Sequence, residues 1–154
     1  MLIGIDPLLT PDLLHALASM GHGDEIAIVD ANFPATSTAR RLLALDGVDA
    51  PRALEAVLGV LPLDHMVAHP ARVMAVVDKP DEVPPAVADF ARVLQRRLGH
   101  TLKPHPVERH AFYGEAQRCF AILRTGERRF FGNIILTKGV VDPEGKVPPL
   151  PGGR

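Results

Sequence analysis

Short apolar segments that alternate with helical stretches constrain the fold of this chain more than any other feature. Five segments of consecutive apolar residues lie at 26–29, 42–45, 73–77, 119–123 and 134–136. Polar or turn residues bound each segment. Segments this short are typical of strands rather than helices, and an unbroken apolar run is typical of a strand buried on both faces.

Helix signals fill the intervals between these strands. Thr10 can cap the first helix, Pro11 suits its first position, and Gly21 supplies its end. Four helices are predicted in all, over 11–20, 51–58, 84–98 and 108–118. Strands interleaved with helices predict a single α/β domain with a mostly parallel central sheet flanked by helices.

The domain is expected to cover residues 1–141. The remaining segment, 142–154, holds four prolines and three glycines in thirteen residues and has almost no apolar material. Such a composition cannot bury enough apolar surface to offset the entropy of ordering the chain. A disordered tail is therefore predicted.

Composition excludes several classes of function. The formal net charge is -1 and the basic residues are scattered, so neither nucleic acid nor an anionic membrane is an expected partner. The N-terminus has no basic region followed by a long apolar run, which argues against a signal peptide. Cys119 is the single cysteine, so no internal disulfide can form, and a reducing, cytoplasmic location is expected.

His22 and Asp30 are the first candidates for chemistry. His22 stands between two glycines, which leave its ring uncovered, and the ordinary pKa of a histidine suits proton transfer near neutral pH. Asp30 directly follows a predicted strand, and ligands of α/β sheets bind beyond the carboxyl ends of strands. The two could meet at a cleft as an acid–base pair. Structural roles, as a helix-end histidine and a turn aspartate, remain open for both.

Two further histidines offer a weaker alternative. His65 and His69 are four residues apart and could bind a metal ion together if they shared a helix, but Pro70 follows directly and no third ligand is suitably spaced. The sequence has no glycine-rich phosphate loop, no Gly-x-Ser-x-Gly motif and no paired cysteines. Cys119 heads an apolar segment and is expected to act as a small hydrophobic residue.

Several ordered motifs resemble a known family. They are Gly-His-Gly-Asp-Glu-Ile at 21–26, Val-Asp-Ala-Asn-Phe-Pro-Ala at 29–35, Arg-His-Ala-Phe-Tyr at 109–113, Thr-Gly-Glu-Arg at 125–128, Gly-Asn-Ile-Ile-Leu at 132–136 and Lys-Gly-Val at 138–140. Together they resemble the L-fucose mutarotase and ribose pyranase family, known as RbsD/FucU, over about residues 1–141. The Asp-Ala-Asn-Phe-Pro and Phe-Tyr-x-Glu-Ala-Gln stretches are closer to the fucose branch.

The resemblance implies a fold, an assembly and a set of site residues. It implies an α/β domain in a closed ring of subunits, typically a homodecamer, with sites near subunit contacts and catalysis without metal or nucleotide. His22 matches the proton-donating histidine of the family, and Asp30 and Arg109 match residues that bind the sugar. The segment Phe131, Gly132 and Asn133 matches the family's Tyr-Gly-Asn segment, with phenylalanine in place of the tyrosine.

The predicted function is interconversion of the anomers of L-fucose or a related monosaccharide by general acid–base ring opening. Three alternatives remain. The first is pyranose–furanose interconversion on D-ribose. The second is a non-catalytic sugar-binding or transport-accessory protein, which the missing tyrosine hydroxyl makes plausible. The third is a metal-dependent isomerase that uses His65 and His69.

Overall fold

The computed structural model describes residues 1–150. Within them the chain forms five helices, α1 (Pro11–Ser19), α2 (Ala35–Thr38), α3 (Ala50–Leu58), α4 (Pro85–Leu98) and α5 (Arg109–Arg118). It also forms six strands, β1 (Glu25–Val29), β2 (Leu42–Leu45), β3 (Ala71–Met74), β4 (His105–Val107), β5 (Ala121–Thr125) and β6 (Ile134–Thr137). Residues 151–154, part of the tail predicted to be disordered, lie outside the described residues.

The six strands form one sheet in the order β2-β5-β1-β6-β3-β4. The pairs β2–β5, β5–β1 and β3–β4 are parallel, whereas β6 runs antiparallel to both of its neighbours, β1 and β3. The carboxyl ends of the five parallel strands therefore share one edge with the start of β6. The prediction of a mostly parallel sheet flanked by helices is confirmed, and the sheet is mixed because of β6.

Both faces of the sheet are covered. Alternate residues of β1 point to opposite sides: Ile26 and Ile28 join a core with α1, α3 and α4, and Ala27 and Val29 join a smaller core with α2 and α5. All four residues of β6 are buried. This burial on both faces explains why the central strands read as continuous apolar runs.

Element boundaries depart from the predictions in two places. The predicted strand 73–77 spans Ala71–Met74, because the chain turns after Ala75 and Val76 pairs with Lys79. Residues 119–120 precede β5 rather than start it, since Cys119 caps the end of α5. The segments α2 and β4 lay in predicted loops.

The tail is described as far as residue 150. Asp142 and Lys146 close a turn through their backbone and side chain, and Leu150 is buried against the larger core. Val147 to Leu150 line a cleft of about 410 Å³ with residues of α3 and α4. No helix within residues 1–150 is long and apolar enough to cross a membrane.

Candidate functional site

Asp30 lies buried at the carboxyl end of β1, with 4% of its surface exposed. Its Oδ1 accepts hydrogen bonds from the backbone N–H groups of Asn32 and Phe33, both at 3.0 Å. These two hydrogen bonds stabilise the turn that follows β1, so Asp30 has the role of a turn aspartate that the sequence left open. Its Oδ2 faces Asn133 instead.

Asn133 pairs with Asp30 in both directions across the start of β6. The Asn133 Nδ2 donates to Asp30 Oδ2 at 3.0 Å, and Asn133 Oδ1 accepts from the Asp30 backbone N–H at 2.9 Å. Both side chains are buried. This reciprocal pair fixes the orientation of the carboxylate and leaves part of the acceptor capacity of Oδ2 unused, because a carboxylate oxygen can accept two hydrogen bonds.

Burial raises the pKa of the Asp30 carboxyl above its ordinary value of 3.8. The hydrogen bonds from Asn32, Asn133 and Phe33 lower the pKa and offset part of this effect. A carboxylate in such a place binds hydroxyl donors strongly, because each hydrogen bond replaces water that burial has removed.

Phe131 and Gly132 complete this edge of the sheet. Phe131 has a φ of 59°, an uncommon conformation for a residue with a side chain, and its ring packs against the smaller core. Gly132 lies against the side chains of Asp30 and Glu127. Four of the predicted site residues therefore form one cluster: Asp30, Phe131, Gly132 and Asn133.

An ion pair between the buried Glu127 and the half-exposed Arg129 braces the loop before Phe131. Glu127 accepts from the Arg129 guanidinium at 2.9 and 2.8 Å, and Arg129 also reaches Asp89 of α4 at 2.6 Å. The hydrogen bonds from Arg129 hold the pKa of Glu127 below its usual range. The Glu127 backbone carbonyl accepts from Ala31, next to Asp30. This brace ties the Phe131 loop to the turn after β1.

Arg109 begins α5, two residues beyond β4 and at the same edge of the sheet. One helical turn later, Phe112 and Tyr113 contact Phe33 of the Asp30 turn, with ring centroids 6.2 and 5.3 Å apart. The Arg109 Nε is buried and donates to no acceptor within residues 1–150. A buried donor without a partner is costly, so this guanidinium is suited to binding an oxygen ligand.

His22 lies at the opposite edge of the sheet from Asp30. It occupies the turn before β1, in which Gly23 adopts a φ of 83°, whereas Asp30 follows the last residue of β1. The strand alone spans roughly 13 Å at the usual rise per residue. The structure thus does not bring His22 and Asp30 together within one chain, and the predicted cleft between them is absent from the single subunit.

Asp64 is the side chain that His22 contacts. The His22 Nε2 lies 3.2 Å from Asp64 Oδ2, with 43% of the histidine side chain exposed and 3% of the aspartate side chain. Asp64 was not predicted from the sequence as a site residue. It lies 42 positions from His22 in a loop without a motif, and only the pairing of Leu63 with Lys138, beyond the end of β6, brings it there.

The structure also places the candidate metal pair, His65 and His69, and the single cysteine, Cys119. Residues 65–68 form bends rather than the helix that a His65–His69 metal pair would need, and His69 stacks on His105 at 3.8 Å. Within residues 1–150 no group of three or more histidine, cysteine or acidic side chains is arranged to hold a metal ion. Cys119 is buried, and burial raises the pKa of its thiol to about 12, as expected of a small hydrophobic residue.

These observations define a single-domain α/β protein with a carboxylate–amide cluster at one end of its sheet and an exposed histidine at the other. A model of the RbsD / FucU transport protein family matches residues 3–141. The chain belongs to this family.

Named relatives and a solved structure are similar to this chain over about nine tenths of its length. The fucose mutarotase of Homo sapiens is 44% identical over 144 residues, covering 90% of this chain and 93% of the relative. The L-fucose mutarotase of Actinobacillus pleuropneumoniae is 39% identical over 141 residues, covering 91% and 97%. The crystal structure of the fucose mutarotase from Streptococcus pneumoniae in complex with L-fucose superimposes with a TM-score of 0.85 at 39% identity, covering 92% and 100%.

Proposed function

We propose that this protein is an L-fucose mutarotase, an isomerase that interconverts the α and β anomers of the sugar. Its similarity to fucose mutarotases across nine tenths of the chain supports this substrate. The single observation that carries the chemistry is the buried Asp30 carboxylate, which Asn133 holds in a fixed orientation. The acid–base group, His22, is exposed at the opposite end of the sheet.

The reaction requires two proton transfers. A base removes the proton from the anomeric hydroxyl while an acid protonates the ring oxygen, the bond between C1 and the ring oxygen breaks, and the open-chain aldehyde forms. Rotation about the C1–C2 bond and reversal of the steps give the other anomer. His22 supplies the acid–base group, a contribution of about 10²–10⁴-fold.

The sugar is held at the other cluster. Asp30 Oδ2 accepts a hydrogen bond from a sugar hydroxyl, and the Asn133 amide, which orients that oxygen, completes the polar surroundings of the sugar. Arg109 offers as a donor the buried Nε that has no partner among the described residues. Phe131 packs on an apolar face of the sugar, a role that needs no hydroxyl.

The separation of His22 from Asp30 means that a complete site draws these residues from two subunits. A large exposed apolar side chain lies at the end of the sheet that carries Asp30, and another lies at the end that carries His22. Phe130, beside Phe131, is 75% exposed, and Met66, near Asp64, is 70% exposed. A subunit contact between these two ends of the sheet would bury both side chains, which is favourable. We therefore propose a homo-oligomer, a decameric ring by resemblance to the family, in which one subunit's His22 faces its neighbour's Asp30. A cytoplasmic location fits the single buried cysteine.

Anomer exchange measured by saturation-difference NMR tests the function. L-fucose is the substrate, and D-ribose and D-galactose serve as comparison sugars. We expect faster exchange between the fucose anomers only. Faster exchange on D-ribose alone would identify a ribose pyranase, and fucose binding without exchange would identify a binding protein.

Subunit mixing tests the shared site. His22→Gln and Asp30→Asn are each expected to lose activity while the assembly stays intact. Co-expression of the two variants with different tags, followed by tandem purification, gives mixed assemblies. Some sites in these assemblies combine an intact His22 with an intact Asp30 from a neighbour, so activity returns. Verified mixed assemblies without activity would show that both residues must come from one chain.

A further inference from the structure

The His22–Asp64 contact has a consequence for the protonation of the histidine. Asp64 is buried, and its Oδ1 is already occupied by the backbone N–H of Met66 at 2.9 Å. Its Oδ2, at 3.2 Å from His22 Nε2, has no other hydrogen-bond donor within residues 1–150. Since a carboxylate is an acceptor only, an unprotonated Nε2 would set two lone pairs against each other. Nε2 must therefore carry the proton.

The backbone holds both partners of this contact in place. The Asp64 N–H donates to the carbonyl of Thr137, the last residue of β6. The residue that follows, Lys138, exchanges backbone hydrogen bonds with Gly23 and Asp24 of the turn that carries His22. The loop also approaches Gly139 so closely that a Cβ there would lie 2.4 Å from the Leu63 carbonyl oxygen and 2.8 Å from the Asp64 Cα. The distance between His22 and Asp64 is thus set by the end of β6.

We infer that Asp64 is a positioning residue for His22: it holds the ring in one orientation and keeps the proton on Nε2, so that Nδ1 faces the sugar. A neutral His22 then offers Nδ1 as the base, and a protonated His22 offers the Nδ1 proton to the ring oxygen while Asp64 compensates the charge. This arrangement follows the general logic by which a buried carboxylate selects the tautomer of an acid–base histidine. The kinetic part of this inference rests on the proposed function, whereas the tautomer does not.

Asp64→Asn is the decisive variant because it keeps the shape of the side chain. The Met66 N–H holds the amide oxygen at the Oδ1 position, so the NH₂ group of the new side chain faces Nε2 and forces the proton to Nδ1. We expect kcat on L-fucose to fall by roughly 10–100-fold, part of the general acid–base contribution, with KM changed less than about twofold. Asp49→Asn is the matched control, because it makes the same change of charge at a helix cap where asparagine serves equally well.

Solid-state NMR of protein labelled with ¹⁵N-histidine reads the tautomer directly, with His22 identified by its loss in His22→Gln. We expect neutral His22 to carry its proton on Nε2 in the wild type and on Nδ1 in Asp64→Asn. A wild-type His22 protonated on Nδ1 would overturn the inference, whether or not the variant folds. An Asp64→Asn variant with unchanged kcat would also overturn it. If the wild type showed no exchange on any sugar, the proposed function would fail, and the tautomer measurement would still decide the role of Asp64.

Discussion

At the residue scale, the Asp30 carboxylate combines a role in the fold with the proposed role in sugar binding. Oδ1 is committed to the turn after β1, and Oδ2 is oriented by Asn133 with acceptor capacity to spare. A hydroxylated ligand therefore meets a carboxylate that does not have to reorganise. The cost is that a charge is held in a buried place, which raises the pKa of Asp30.

This raised pKa predicts how L-fucose affinity depends on pH. Protonated Asp30 accumulates as the pH falls towards its pKa, which lies above the ordinary value of 3.8, and a protonated carboxyl has lost acceptor capacity. We expect affinity to weaken on acidification before pH 3.8 is reached. The measurement is made in the His22→Gln background, so that His22 cannot contribute, and isothermal calorimetry gives the dissociation constant. Affinity that stays constant down to that pH, in protein shown to be folded by circular dichroism, would contradict the prediction.

Phe131 gives a second prediction at this scale. Phe131→Tyr restores the hydroxyl found in the family pattern without changing the ring. We expect kcat/KM on L-fucose to rise by up to about tenfold, since one added hydrogen bond contributes roughly 0.5–1.5 kcal/mol. Saturation-difference NMR measures the rate, and Phe120→Tyr, which adds a hydroxyl on another part of the surface, is the control. An unchanged or lower kcat/KM would show that this hydroxyl has no partner here.

The individual site residues differ in how far sequence could reveal them. Asp30 directly follows an apolar strand, so its place at that end of the sheet followed from the strand pattern. Asn133 was indicated only by the family resemblance, because its position beside Asp30 depends on the antiparallel direction of β6. The separation of His22 from Asp30 was implied by the strand predicted between them, since the residues before and after a strand lie at its opposite ends. Asp64 had no local signal, since its contact with His22 depends on the long-range path of β6.

At the scale of elements, Arg72 joins three parts of the fold. From β3 its guanidinium donates to Glu25 of β1 at 2.6 Å, to Glu115 of α5 at 2.8 Å and to Thr137 of β6 at 3.2 Å. Burial lowers the pKa of Arg72, but its hydrogen bonds to Glu25 and Glu115 more than offset this effect and leave the pKa above its ordinary value. The side chain is 16% exposed, so this network is shielded from solvent more than the surface ion pairs are.

Arg72→Met is expected to destabilise the protein by about 1–3 kcal/mol, because it leaves two carboxylates near each other without their cation. The partial exposure of Glu25 and Glu115 keeps the loss below that of a fully buried pair. Urea unfolding followed by circular dichroism measures it. Lys79→Met, which breaks the exposed Lys79–Glu82 pair, is the control and is expected to change stability by less than about 0.5 kcal/mol. Equal effects of the two substitutions would contradict a special role for Arg72.

Some elements could not be predicted for identifiable reasons. β4 is an outermost strand of the sheet, and proline is tolerated in such strands. Because β4 contains Pro106, its composition indicated a loop instead. The antiparallel direction of β6 leaves no trace in its sequence, because a central strand buried on both faces has the same apolar residues in either direction. By contrast, α1 and α4 carried clear start and stop signals at Thr10, Pro11 and Gly99.

At the scale of the whole molecule, the tail beyond the family match contributes to the core. Leu150 is 5% exposed and lies over residues of α3 and α4, which places the end of the described chain against the larger core. The composition of the tail gave no sign of this contact, because one leucine among prolines is too weak a pattern to predict burial.

Leu150→Ala is therefore expected to lower the free energy of unfolding by about 1–3 kcal/mol through lost apolar burial. Leu63, which precedes Asp64, lines the same cleft, so exchange on L-fucose reports whether the loss of Leu150 also disturbs His22. Urea unfolding and saturation-difference NMR are the two measurements. Val147→Ala, at a side chain that is 52% exposed, is the control. A Leu150→Ala variant as stable as the wild type would show that the tail does not stabilise the domain.

The central position of β6 also determines when the protein can fold as it is made. Among the described residues β6 is the last strand, yet it alone joins β1 to β3. A nascent chain that has not reached residue 134 holds two partial sheets, β2-β5-β1 and β3-β4, each with an unpaired inner edge. Open apolar edges of this kind pair readily with other chains. The chain must thus be synthesised through β6 before the sheet closes, and a product that ends before residue 134 would be a substrate for chaperones or proteases.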